Sequence, residues 1–237
     1  MRAAVKEEKT VRFLGLWVGD ECSFLNHVEK LKSKLNTGLF HLATSRENTP
    51  MKVRLNIYRS LFESHLRFAS LIYGSVSDTK LHEILLLQKK AVRYAANSYY
   101  RAHTDPLFAN LKILKIQDLI LLVRASLIHQ YRTGYLPDSF HRKYFQYISL
   151  EDSKRRDDPL CLIVPPAPFK NIERSPYVLL CRDWNTVPFY IKSISKHSDF
   201  KKALTDHLLS KYNEICCELN CRACIFGATD FTNYANT

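Results

Sequence analysis

The sequence predicts a mainly α fold: a three-helix basic bundle preceded by a short β-strand or hairpin and followed by further helices and a Pro-rich arm. Three observations predict it. Apolar residues recur at three- and four-residue spacing through most of the chain, the period of a helix with one buried face. Only six of the 237 residues are glycine, and long Leu/Lys-rich runs stand between them. Between Phe24 and Ala102 there are thirteen Lys and Arg against five Asp and Glu, so +8 of the net charge of +12 falls in the most regular third of the chain.

Composition bounds the function class. A hydrophobic content of 46% with 24% charged residues is that of a globular chain, not a disordered one. A pI near 9.4 suits a polyanionic partner. No run reaches the roughly 18 consecutive apolar residues of a membrane span, and the nearest, residues 119–128, is interrupted by Arg124. The opening MRAAVKEEKT has no apolar segment of a secretory signal, so seven cysteines are expected as reduced thiols in the cytoplasm or nucleus.

The elements follow in order. Residues 1–22 form a β stub, in which the apolar run 11–18 reads as a strand or half a hairpin ending at Gly19-Asp20. Its partner strand is expected mainly from residues before Met1. Residues 23–103 form the bundle. Ser23 is the expected N-cap of a helix to about Ala43, with Val28, Leu31, Leu35, Leu39 and Leu42 as its buried stripe. His27, on that helix, reads as structural. Thr49 caps a second helix with Pro50 at its first position; it is apolar nearly all round to residue 73, which makes it the expected centre. Its one polar stripe is Lys52, Asn56, Arg59 and Glu63. Asp78 caps the third helix, which buries Leu81, Ile84, Leu85, Val92 and Ala95 and leaves the helix near Asn97. Residues 104–145 form a helical connector: a short helix from Asp105-Pro106, then a longer one over 116–131, stopped by Gly134 and Pro137. Five of the nine prolines fall in 146–176, which reads as a linker or extended arm. Residues 177–237 form a helical tail anchored by Trp184, with a last helix from Ser198.

Two clusters invite chemistry. Cys221-x-x-Cys224 has zinc-ligand spacing, with Cys217 and His207 as further candidates. Those cysteines also stand at i, i+4 and i+7 with no turn residue between them, so buried helical thiols are favoured over a metal site. The second cluster is basic. Lys89, Lys90 and Arg93 lie three and four residues apart on the third helix, and Tyr94, Tyr99, Tyr100 and Arg101 follow. A basic helix running into an aromatic loop is a pattern that tracks a nucleic-acid backbone. Lys52 and Arg59 join it from their helix stripe alone. Tyr99 and Tyr100 could stack on bases, although tyrosines at a helix end more often pack on the bundle.

That stretch, QKKAVRYAANSYYRAHTDPLF (residues 88–108), resembles the segment after the polymerase core of non-LTR retrotransposon (LINE, jockey-like) reverse transcriptases. Upstream, VRFLGLWVGD (residues 11–20) is similar to that family's strand at the end of the primer grip. Downstream, SPYVLLCRDWNTVP (residues 175–188) is similar to its S-x-Y…WN-x-L-P tail. The family's polymerase holds two divalent metals on palm carboxylates, including an Asp pair in a [FY]-x-D-D hairpin. The one Asp-Asp here, Asp157-Asp158, follows Arg155-Arg156 and precedes Pro159, outside that pattern. The resemblance therefore implies thumb and connector only. It implies an inactive chain by itself, with no cofactor (Mg2+ belonging to the palm). The implied partners are RNA or an RNA–DNA hybrid, held through the backbone by Lys89, Lys90, Arg93, Arg101, Lys52 and Arg59, and the palm and fingers of the polymerase. The alternative is a stand-alone interaction protein, derived from such an element, that docks a protein partner.

Overall fold

A computed structural model describes residues 9–20, 23–137, 145–147 and 158–212. It is mainly helical, with one antiparallel hairpin at its start.

The apolar run 11–18 folds back on itself. β1 (Thr10–Phe13) pairs with β2 (Leu16–Gly19), Thr10 opposite Gly19 and Phe13 opposite Leu16. This corrects the expectation of a partner from upstream residues. Leu14 and Gly15 form a two-residue turn with φ of +47° and +86°, the geometry that matches strand twist in a tight hairpin. A Cβ on Gly15 would sit 2.9 Å from the Phe68 ring, so the turn needs glycine both for its φ and for close packing.

α1 (Leu25–Ser45) buries His27 together with the whole expected stripe of Val28, Leu31, Leu35, Leu39 and Leu42. Phe24, not Ser23, occupies its N-cap position, and no side chain caps it. Gly38 lets the next segment approach: a Cβ there would lie 2.9 Å from the Leu61 carbonyl oxygen.

The second helix departs from expectation. It is divided into α2 (Met51–Ile57), a π-helical segment (Tyr58–Glu63), α3 (Ser64–Arg67) and α4 (Ser70–Tyr73). Ala69 breaks it with φ +55°. Of its buried residues, Arg54, Tyr58, Phe62, Leu66 and Ser70 fall at intervals of four, and Tyr73 follows at an interval of three. In an α-helix that spacing drifts about 40° per step, so a wider π turn is what keeps the stripe on one side. Pro50 takes the N-cap position, while the Thr49 hydroxyl donates back to Ser45 O at 2.7 Å.

α5 (Asp78–Ala95) has Ser77, not Asp78, at its N-cap and packs chiefly on α1. It ends at Asn97 in the left-handed region, with Asn97 N donating to Tyr94 O and Ser98 N to Arg93 O, the paired bonds of a Schellman cap. α6 (Thr104–Asn110) leads to α7 (Ile116–Arg132). Only Gln117 of α7 is fully exposed, and α3, α4, α5, α9 and α11 pack around it. The centre of the molecule is α7 and not the second helix. Gly134 ends it with φ +76°.

Residues 158–168 run extended along the body. Leu162 bridges to Tyr147, and Asn185 holds Leu162 from both sides, accepting its N–H at 2.8 Å and donating to its carbonyl at 2.9 Å. After α8 (Lys170–Glu173), α9 (Pro176–Thr186) opens with Pro176 at its first position and the Ser175 hydroxyl accepting from Val178 N. Trp184 is fully buried and donates to Leu160 O at 2.7 Å. α10 (Phe189–Lys192) and α11 (His197–Ser210) complete the fold, α11 burying Phe200, Leu204, Leu208 and Leu209. Among the described residues no helix is long and apolar enough to cross a membrane.

Candidate nucleic-acid interface

α5 divides its residues by face. Leu81, Ile84, Leu85, Gln88, Ala91, Val92 and Ala95 are buried; Lys90 is exposed, and Lys89 and Arg93 are half-buried. Lys89 and Arg93 are one turn apart on one side, with Lys90 about 100° round from Lys89. Towards the other end of the helix the positive charge is already matched. Lys32 meets Glu83 at 2.6 Å and Lys80 meets Glu29 at 3.2 Å, a quartet joining α1 and α5. By contrast, among the described residues no carboxylate pairs with Lys89, Lys90, Arg101, Lys52 or Arg59.

The loop after α5 is held from three directions by arginines. Arg93 Nε donates to Ala102 O at 3.0 Å. Arg46, at the end of α1, donates to the Asn97 side-chain oxygen at 2.7 Å and to Ser98 O at 2.8 Å. Arg54, buried on α2, donates to Ala95 O at 3.0 Å, to Arg46 O at 3.2 Å and to Thr49 O. The Arg54 guanidinium satisfies carbonyls that the ends of α5 and α1 leave without helical partners, and Arg46 and Arg93 satisfy carbonyls of the loop. Burial pulls the Arg93 pKa down from its ordinary value, yet a guanidinium stays charged.

The fixed loop turns its aromatics outward. Tyr99 and Tyr100 are 51% and 58% exposed, against the expectation that they pack on the bundle. Their ring centroids lie 4.5 Å apart, and the Arg101 guanidinium sits 5.1 Å from the Tyr100 centroid. The structure thus brings Lys89, Lys90, Arg93 and Arg101 to one end of α5. Lys52 and Arg59 belong to the neighbouring segment: Arg54 bonds Ala95 O of α5, and Tyr58 accepts from Gln88 Nε2 of α5 at 3.0 Å. Lys52 and Arg59 themselves are exposed.

The aspartate pair and the cysteine cluster are described only in part. Asp157, Cys217, Cys221 and Cys224 lie outside the described residues. Asp158 pairs with Lys192 at 2.6 Å and accepts from Leu160 N at 2.9 Å. Burial alone would raise its carboxyl pKa; the Lys192 ammonium and the Leu160 N–H overcome that and hold it below the ordinary range. Its oxygens are committed to structure, so it does not fit a palm-type Mg2+ ligand. His207 faces the Tyr190 hydroxyl at 3.2 Å, and among the described residues no group of three or more His, Cys, Asp or Glu could hold a metal.

The first motif is about half internal, the third in part, and the hairpin motif at 11–20 has no buried residue. Gln88, Ala91, Val92, Ala95, Ala102, Thr104, Asp105, Leu107 and Phe108 of the first are buried, as are Val178, Leu180, Cys181 and Trp184 of the third. Those buried positions are signatures of a fold more than of a ligand. Sequence reasoning missed Arg46 and Arg54 as loop clamps. The signal for Arg54 was its place at the head of the four-residue stripe.

The hairpin, the basic helical bundle and the helices after it carry, in order, the motifs that resemble non-LTR reverse transcriptases. Two relatives bear on that class. The RNA-directed DNA polymerase from mobile element jockey of Drosophila melanogaster is 20% identical over 142 residues, 59% of this chain and 15% of that polymerase. Its counterpart of the same name from Drosophila funebris is 26% identical over 112 residues, 46% of this chain and 12% of that polymerase. The chain is thus similar to a section of jockey-type reverse transcriptases that spans a small part of their length. No protein-family model matches it, and no solved structure does.

Proposed function

We propose that this chain is the thumb and connector of a jockey-type reverse transcriptase, gripping the backbone of an RNA–DNA template–primer without polymerising on its own. The observation that carries the reading is the basic end of α5, where Lys90 is exposed, Lys89 half-buried and neither meets a carboxylate among the described residues, in a chain similar to RNA-directed DNA polymerases. Lys89, Lys90 and Arg101 contact phosphates; Lys52 and Arg59 contribute long-range attraction. Arg93 serves chiefly to hold the loop. Such contacts set register along a duplex and read no sequence. Catalysis and its Mg2+ belong to the palm, and palm and fingers are the protein partners.

The test is fluorescence anisotropy with a labelled RNA–DNA hybrid across a salt series. With several phosphates neutralised, affinity falls roughly tenfold or more between 50 and 200 mM salt. Lys89→Ala/Lys90→Ala/Arg101→Ala loses most of the binding and flattens the salt dependence, while its far-UV CD stays that of the parent. Arg93 is left in place, because its removal would free the loop. Binding by the triple variant equal to the parent's would put the interface elsewhere. Binding indifferent to salt would point to a protein-docking role.

A further inference from the structure

The geometry points to a second, distinct contact: Tyr99 and Tyr100, with Arg101, form a stacking platform for an unpaired nucleobase next to the duplex held on α5. The inference rests on the nucleic-acid reading above and adds to it a single-strand subsite.

Three features carry it. The two phenol rings stand 4.5 Å apart, tilted 60° to each other, and each is more than half exposed, so each offers a face to solvent. The loop bearing them is nevertheless fixed: Arg46, Arg54 and Arg93, from three different helices, hold the carbonyls of Ala95, Ser98 and Ala102 and the Asn97 side chain. A surface held this firmly loses little further freedom when a ligand settles on it. Finally, Arg101 lies over the Tyr100 ring, so a base stacked on the tyrosines carries its own phosphate towards a guanidinium.

The loop favours a base over a protein surface. A protein-docking patch would set aliphatic side chains around the aromatics, whereas the loop residues here that reach the surface beside them are Asn97, Arg101 and His103, and its alanines are buried. Every base offers a π-face, so the platform tolerates any sequence. Its position, directly after the basic end of α5, places the unpaired base at a duplex end.

The experiment compares a blunt RNA–DNA hybrid with the same hybrid bearing a short single-stranded overhang that carries 2-aminopurine at its first unpaired position. The parent binds the overhang hybrid about five-fold or more tighter than the blunt one, and 2-aminopurine fluorescence is quenched on binding. Tyr99→Ala/Tyr100→Ala abolishes the preference and the quenching and leaves blunt-hybrid affinity where it was. Tyr99→Phe/Tyr100→Phe keeps both, because stacking needs the ring and not the hydroxyl. Equal affinity for both hybrids overturns the platform while the backbone grip stands; a preference that survives the alanine variant also overturns it. No binding to either hybrid overturns both readings.

Discussion

Gln88 shows how much one polar side chain does when it stands in the middle of an apolar stripe. It is fully buried on α5, donates to Leu114 O at 2.8 Å and to the Tyr58 hydroxyl at 3.0 Å, and accepts from Ile116 N at 2.9 Å. Its amide thereby joins the π-helical segment, α5 and the first turn of α7. Burial pushes the Tyr58 phenol pKa well up, with the Gln88 donation offsetting part of that, so Tyr58 remains a neutral hydroxyl. Gln88→Leu keeps the volume and strands three groups in a dry interior. With each buried orphan costing about 1–3 kcal/mol, the variant is expected to lose about 3 kcal/mol or more. The measurement is the urea midpoint at unchanged slope; a loss under about 1 kcal/mol would mean that water reaches these groups. Spacing alone did not announce this role: Gln88 stands between the stripe residues Leu85 and Val92, but its three partners are tertiary relations.

Among the elements, those with a clean period were legible: the stripes of α1 and α5 are buried as their spacing predicts. The segment 51–73 was not, because its many apolar residues hide the four-residue interval that the π turn follows. Nor was the hairpin, since the pairing of β1 with β2 depends on two positive φ angles at Leu14-Gly15 that a short apolar run does not announce. At the candidate site the lysines of α5 stood out because they break an apolar period. Arg46 and Arg54 did not, because a clamp is a tertiary relation. The arm at 158–168 is a further case, pinned by the pair Asp158–Lys192. The Lys192 side chain is 0% exposed and that of Asp158 19%. The two halves of the pair should therefore cost unequally. Asp158→Asn leaves a fully buried ammonium without its counter-ion, expected to cost about 3 kcal/mol or more. Lys192→Met leaves a carboxylate that reaches water and an apolar chain against Trp184, and costs clearly less. Thermal melts of the two variants decide it: equal losses would mean that the ion pair, and not the burial of Lys192, sets the cost.

At the scale of the whole molecule, one core runs from Val28 on α1 to Tyr212 beyond α11, and α7 is shared by both ends of it. On one side α7 meets α3, α4 and α5; on the other it meets α9 and α11. Tyr212 closes the circuit: its hydroxyl accepts from Lys115 N at 3.0 Å and donates to Asp118, and Lys115 Nζ lies 4.5 Å from its ring. A helix apolar on nearly every side cannot stay folded in water with one of those sides stripped. The bundle that carries the basic face and the helices after the arm are thus expected to unfold as one unit. The chain has two tryptophans, so Trp17→Phe leaves Trp184, fully buried on α9, as sole reporter of the C-terminal helices. Far-UV CD reports all helices together. In urea the two signals should fall along one curve. If Trp184 emission shifted at lower urea than the helical signal, the C-terminal helices would be a separately folding layer. The basic bundle could then present its lysines and tyrosines without them. Coincident curves mean that damage near Trp184 loosens the loop bearing Tyr99 and Tyr100, because the core that supports its arginine clamps is the same one.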